Sequence, residues 1–301
     1  MGAGTIRFVE VGPRDGLQNE RASVSLEAKV ALVDALSQTG VGEIEVGAFV
    51  SPKYVPQMAD SEKVFERIKR KRGVVYSALV PNEEGLARAL RARVDKVAVF
   101  TAASETFNRK NINASIAESI KRFRPVVHRA SAEKLPVRAY VSTAFHCPFE
   151  GAVRPPAVVS VVESLLELGV RELSIGDTIG RAAPNEVRRL LDVLLKKFPS
   201  GTFYLHFHDT YGMAIANALT AWREFGITGF DSSAGGLGGC PYAPGAGGNV
   251  ATEDLAFALR AEGAKIGVDP AKVVAAAQGV ASQLGHPLNS RLSRVDLSRI
   301  G

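Results

Sequence analysis

The strongest constraint on this chain is alternation. Eight short runs rich in β-branched residues, at 6–11, 43–47, 74–79, 96–100, 137–142, 172–176, 203–208 and 229–233, are separated by amphipathic stretches. Helical periodicity covers 26–36, 61–71, 83–90, 116–133, 156–167, 184–198 and 213–225, and two more helical patterns at 252–261 and 270–284 follow the last run. Strands separated by helices on short links lie parallel. Eight such units without a break in composition point to an α/β fold, a single (β/α)8 TIM barrel over residues 1–301 with an extra C-terminal helix, although 301 residues would also accommodate two domains. The rival, an open doubly wound sheet with a dinucleotide site, requires GxGxxG at a strand-to-helix turn. Gly236 and Gly238 begin that pattern, but Pro241 stands where its third glycine belongs. GxxxxGK[ST] is absent as well.

Composition narrows the class. With 46 % hydrophobic and 23 % charged residues the chain is neither collagen-like nor disordered. Cys147 and Cys240 are its only thiols, which excludes a disulfide framework and a four-cysteine zinc site. The first residues show no signal-peptide pattern, and no uncharged stretch is long enough to span a bilayer. A cytoplasmic location is therefore expected, with no membrane partner. Lys and Arg number 37 against 31 Asp and Glu, a net charge of +6. These basic residues are scattered as on ordinary solvated helix faces, so no nucleic-acid partner is expected.

In such barrels chemistry sits at the carboxyl ends of the strands. The first run ends in Gly12-Pro13-Arg14-Asp15-Gly16, a cation beside a carboxylate on a glycine-bounded turn. This is either a local ion pair or part of a site. Glu45 stands between Ile44 and Val46 at an inward position and needs a cation such as Arg14 to offset its burial. The sharpest signal is Tyr204-Leu205-His206-Phe207-His208-Asp209. Two histidines two residues apart on a strand share one face and can converge on one metal ion. Asp177 ends the sixth run at the same rim. After the eighth run comes a glycine-rich loop holding Gly236, Gly238, Gly239 and Cys240, read as a mobile lid that carries a thiol. Cys240 is alternatively a small buried hydrophobe. Asn249 closes the loop as either a cation ligand or the N-cap of the next helix. His128 and His286 have no companions and read as structural. Asp15, His206, His208 and Asn249 would offer two nitrogen and two oxygen ligands, a set suited to Mg2+ or Mn2+, with zinc also compatible.

The blocks VEVGPRDGLQNE (9–20), FVSPKYVPQM (49–58), GDTIG (176–180), HFHDTYG (206–212) and DSSAGGLGGCPYAPGAGGN (231–249) resemble the 3-hydroxy-3-methylglutaryl-CoA lyase family along nearly the whole length. RDG and HxH are shared with a wider superfamily of metal-dependent barrel lyases and synthases. The resemblance implies cleavage of 3-hydroxy-3-methylglutaryl-CoA into acetyl-CoA and acetoacetate, a step of leucine degradation and ketone-body formation. It also implies metal ligation by Asp15, His206, His208 and Asn249, and enolate stabilisation by Arg14. Supporting site carboxylates at Glu45 and Asp177 and a proton-transferring lid thiol at Cys240 follow from the same match. Whether His206 or Asp15 takes the hydroxyl proton stays open. A homodimer or higher homo-oligomer acting on an acyl-CoA substrate is expected.

The chain departs from the family pattern at His146, which bears on acyl selectivity, and at Gly47-Ala48, where more hydroxylated residues are expected. Three competing readings remain. One is a related barrel aldolase or condensing enzyme acting on another branched 3-hydroxyacyl-CoA or a 2-oxo acid, which would lack the thiol loop. The second is a zinc amidohydrolase, whose HxH belongs on the first strand. The third is a basic binding protein without turnover.

Overall fold

The computed structural model describes residues 4–239 and 248–296. In chain order its strands are β1 (Arg7–Glu10), β2 (Glu43–Ala48), β3 (Val75–Leu79), β4 (Lys96–Ala102), β5 (Val137–Ser142), a short antiparallel pair β6 (His146–Cys147) and β7 (Gly151–Ala152), then β8 (Glu172–Asp177), β9 (Phe203–Phe207) and β10 (Gly229–Ser232). All but β6 and β7 are parallel and close into a barrel in the order β1-β10-β9-β8-β5-β4-β3-β2. The helices are α1 (Leu26–Leu36), α2 (Ser61–Arg67), α3 (Glu83–Arg91), α4 (Glu105–Ile112), α5 (Ile116–Ala132), α6 (Pro155–Leu168), α7 (Pro184–Leu194), α8 (Ala214–Phe225), α9 (Thr252–Ala261) and α10 (Pro270–Leu284). The expected TIM barrel is thus present, and α10 is its extra helix, packed against α1 and α9.

Local chemistry accounts for most of these elements. Strands covered by helices outside and by packed side chains inside are buried on both faces, so they read as continuous β-branched runs. β2 is buried at every position, including Glu43 and Glu45. Helix starts carry their caps: Ser25 Oγ accepts from Ala28 N, and Ser115 and Glu118 form a capping box on α5. Helix α4 escaped the periodicity reading because of its polar composition, ETFNRKNI, which buries only Phe107 and Asn108. Its start is set instead by the cap from Ser104 to Phe107 N. Helix α2 stops at Arg67, short of 71, because Ile68 turns extended and buries its side chain.

Local packing gives Gly47 a steric reason. Between Glu45 and Gly47 the β2–β3 register slips, and a Cβ on Gly47 would lie 2.5 Å from Ser61 Oγ. That hydroxyl, supplied by α2, accepts from Ala48 N at 3.1 Å. Among the described residues no helix is long and apolar enough to cross a membrane.

Candidate active site

At the carboxyl end of β1 the sequence GPRDG winds into one wide five-residue turn, Gly12–Gly16. Turns of this π type are uncommon and recur at functional sites. Buried Glu10 anchors it, accepting from Gly12 N at 2.9 Å, from Ala234 N at 2.8 Å and from the Thr252 hydroxyl at 2.6 Å. The turn delivers Arg14 and Asp15 side by side to a cavity of about 970 Å³, which Tyr140, Ser174, His206 and His208 also line.

Arg14 is fixed from three sides. Its Nε donates to Glu45 Oε2 at 2.5 Å, its Nη1 donates to Asp15 Oδ1 at 2.7 Å, and its guanidinium lies 5.1 Å from the centre of the Tyr140 ring. Burial alone would favour the neutral guanidine, but Glu45 and Asp15 outweigh it and hold Arg14 charged. The Tyr140 hydroxyl also donates to Glu45 Oε2, at 3.0 Å. Glu45, with no exposed surface, therefore sits behind Arg14 as its counter-ion and does not line the cavity.

The paired histidines face as the strand period requires. Leu205 and Phe207 pack into the core while His206 and His208 line the cavity, their ring centres 5.3 Å apart. Asp15 joins them: one ligand atom from each of the three lies within 4.8 Å of the others. His206 Nε2 stands 4.0 Å from Asp15 Oδ2, beyond hydrogen-bond length yet close enough to share an ion. Burial alone would raise the Asp15 carboxyl, but Arg14 and the two imidazoles reverse this and hold it below the usual carboxylate range.

Asn249 reaches the same group through a backbone bridge to His208. It does not cap α9, whose N-cap is Ala251. Its Nδ2 donates to Asp15 Oδ2 at 2.9 Å and to the Leu237 carbonyl at 3.1 Å. Those two bonds fix the amide, and its buried Oδ1 has no hydrogen-bond partner among the described residues. A buried carbonyl oxygen without a donor is costly unless something else occupies its lone pairs. Two imidazoles, a carboxylate held ionised and this amide oxygen make a donor set that fits a hard or borderline divalent cation.

The remaining expected residues divide. Asp177 is buried at the end of β8, between Gly176 and Thr178 of the cavity wall, and is not itself among the lining residues. Its Oδ1 accepts from Arg181 N at 3.1 Å and its Oδ2 from Ala182 N at 2.9 Å, so it fastens the loop that leads into α7. Burial raises its carboxyl to about 7 even against those two amides. His146 likewise stays out of the cavity: its Nε2 lies 2.8 Å from Glu186 Oε1, pinning the β6–β7 pair to α7. His286 does have a companion, Glu20 Oε2 at 2.7 Å, and that hydrogen bond raises its pKa. His128 is exposed on α5.

The lid reading needs a correction at its near end. Gly236 is buried in a tight turn, Ala234–Gly236, and its carbonyl accepts from Asn289 Nδ2 at 3.3 Å, so it belongs to a packed base. Gly238 (φ +113°) must lack a side chain, since a Cβ there would come within 2.9 Å of Asn249 Nδ2. Gly239 lines the cavity, and Cys240 lies outside the described residues.

Sequence reasoning missed Tyr140, Arg138, Ser174 and Asp231. Asp231 pairs in register with His206 across β10 and β9, and Tyr140 pairs with Ser174 across β5 and β8. The signal was present: Arg138, Tyr140 and Asp231 occupy alternate positions of buried strands, the same period that singled out the histidines. Asp231 is held down to about 2: burial opposes this, but the charge of Arg138 and the bond to His206 prevail.

Comparison with known proteins agrees with this geometry. The HMGL-like family model matches residues 5–280. The chain is 50 % identical to the hydroxymethylglutaryl-CoA lyase of Pseudomonas mevalonii over 286 residues, 95 % of each. The crystal structure of Bacillus subtilis HMG-CoA lyase superposes with a TM-score of 0.95 at 46 % identity, covering 98 % of this chain and 99 % of that one. An HMG-CoA lyase from Acinetobacter baumannii, solved in complex with coenzyme A and 3-methylmalate, gives 0.92 at 37 % identity over 97 % and 95 %. With its cavity, paired histidines and near-full-length matches, the chain belongs to the HMGL-like family, that of the hydroxymethylglutaryl-CoA lyases.

Proposed function

We propose that this chain is a carbon–carbon lyase that cleaves 3-hydroxy-3-methylglutaryl-CoA to acetyl-CoA and acetoacetate, with Asp15, His206, His208 and Asn249 holding a divalent cation, Mg2+ or Mn2+. The observation that carries the reading is the convergence of three ligand groups beside a fixed guanidinium in one cavity. A divalent cation held there would supply Lewis acidity, polarising the oxygens next to it and stabilising negative charge.

Breaking the bond between C2 and C3 requires loss of the tertiary hydroxyl proton, and it leaves the electron pair on the thioester fragment as an enolate. Asp15 and His206 both line the cavity and are the candidates to take that proton; a His206 whose Nε2 holds the cation has no lone pair left for it, which favours Asp15. Arg14 faces the same space, and its charge, locked by Glu45 and Asp15, meets the enolate oxygen as it forms. Because Arg14 is held before substrate arrives, little reorganisation is required during the reaction. Cys240 is the candidate to return a proton to the enolate carbon.

Lys110 and Arg122 line the same cavity, and their positive charge suits the phosphates of a CoA carrier. This reading also assigns the reaction to leucine degradation and ketone-body formation, with the chain acting as a homodimer or higher homo-oligomer, on family resemblance, and a cytoplasmic location on the sequence pattern. Incubation of the purified protein with 3-hydroxy-3-methylglutaryl-CoA and Mg2+ should release acetoacetate and acetyl-CoA in equal amounts. Intact substrate after prolonged incubation would overturn the assignment.

A further inference from the structure

We infer that Asp231, clamped by Arg138 and Ser174, is a positioning residue that holds His206 with its proton on Nδ1 and its Nε2 lone pair turned toward Asp15. The inference deepens the reading above, which supplies the use for that lone pair. Asp231 has almost no exposed surface, and both of its oxygens are engaged. Oδ1 accepts from Arg138 Nη2 at 2.8 Å, Oδ2 accepts from the Ser174 hydroxyl at 2.5 Å, and Oδ2 also lies 3.3 Å from His206 Nδ1.

A carboxylate paired with arginine only accepts hydrogen bonds, so the ring nitrogen facing it carries the hydrogen. In a neutral imidazole the other nitrogen then presents its lone pair. That nitrogen, Nε2, is the one directed at Asp15. The opposite tautomer would set a lone pair against the Asp231 carboxylate and an N–H among the cation-ligating atoms.

The clamp is itself held. The Arg138 guanidinium lies 5.0 Å from the ring centres of both Tyr140 and Tyr204, with its Nε 3.2 Å from Glu172 Oε1. Tyr140 also meets His206 edge-on, at 6.1 Å between ring centres and 87° between planes. Neither Asp231 nor the imidazole is therefore free to rotate. Outer carboxylates of this kind orient metal-binding histidines, and their loss weakens metal affinity by about 10–100-fold.

The first test needs no variant. Long-range 1H–15N correlation spectra of the metal-free, full-length protein at pH 8, with His206 assigned by comparison with His206→Gln, should show the Nδ1–H tautomer. An Nε2–H tautomer or an even mixture would overturn the inference. In the second test, Asp231→Asn should lose that signature and raise the Mn2+ dissociation constant about 10–100-fold by titration calorimetry. An unchanged tautomer and unchanged Mn2+ affinity in a folded Asp231→Asn variant would also overturn it. If that variant does not fold, the wild-type spectrum still decides. Wild-type protein that shows the Nδ1–H tautomer but leaves 3-hydroxy-3-methylglutaryl-CoA intact would overturn the lyase reading alone. Turnover together with an Nε2–H tautomer would overturn only the positioning role.

Discussion

The lumen of the barrel holds two layers of buried and part-buried charge that behave differently. In the lower layer Lys96 Nζ lies 2.6 Å from Glu43 Oε2 and 3.0 Å from Glu172 Oε2, while Arg138 spans Glu172 and Asp231. Opposite charges there touch directly, and two aromatic rings lie against the arginine. In the upper layer the ligand atoms of Asp15, His206 and His208 face one another across gaps of up to 4.8 Å around an open cavity. Buried charge at contact distance is structure, whereas buried donors held apart around a space are a site. Arg14 belongs to both kinds, because Glu45 grips it from below while its guanidinium faces the cavity.

Five experiments would test whether the two layers differ in this way. The largest effect belongs to the upper layer: thorough chelation should abolish turnover, and Mg2+ or Mn2+ should restore it, as followed by acetoacetate release. Full activity in the chelated protein would remove the reason for the gap between those ligands. Next, Arg14→Gln should lower kcat by about 10³-fold with little change in KM, because the enolate charge arises only late in the reaction. A matched loss in binding would make Arg14 a ground-state contact.

Lys96→Met probes the lower layer. It leaves Glu43 without its cation and should cost about 3–5 kcal/mol in denaturant unfolding, with kcat within a few-fold of wild type. A large fall in kcat at normal stability would erase the distinction between the layers.

Glu10, under the β1 turn, gives the pH-dependent case. Burial raises its carboxyl from 4.5 to about 7, although Thr252, Ala234 and Gly12 all donate to it. The folded state therefore holds a proton that the unfolded chain gives up near 4.5. The stabilisation is fully present below that pH and is lost as pH rises through about 7, by at most about 3 kcal/mol. Glu10→Gln should flatten this slope in unfolding curves measured from pH 4.5 to 8; an unchanged slope would assign it to other groups. The smallest effect is expected at His146→Ala, which should shift kcat and KM less than about three-fold, since His146 bonds Glu186 outside the cavity. A marked change in acyl preference would return it to the site.

The fold was legible almost throughout, because parallel strands buried on both faces leave an unmistakable β-branched run between helices. The exceptions were elements set by a cap or a side-chain contact, as in α4. In the site, His206 and His208 were found because period-two spacing places both on one face within a single strand. Asp177 looked equivalent from its position at a strand end, yet backbone amides of the following loop hold it out of the cavity. Asp231 and Arg138 were missed because each finds its partner across the lumen, 93 residues apart in the chain.

The barrel, the rim at which its reactive groups gather, and the face on which the histidine pair lies can all be read from the order of residues. These follow from residue period and strand direction, which are local properties. Which carboxylates face a cavity, which cap a loop and which brace another side chain emerges from the folded packing alone. Closing the barrel sets distances between strands that no local pattern encodes, and a few ångströms separate an ion pair from a place for an ion.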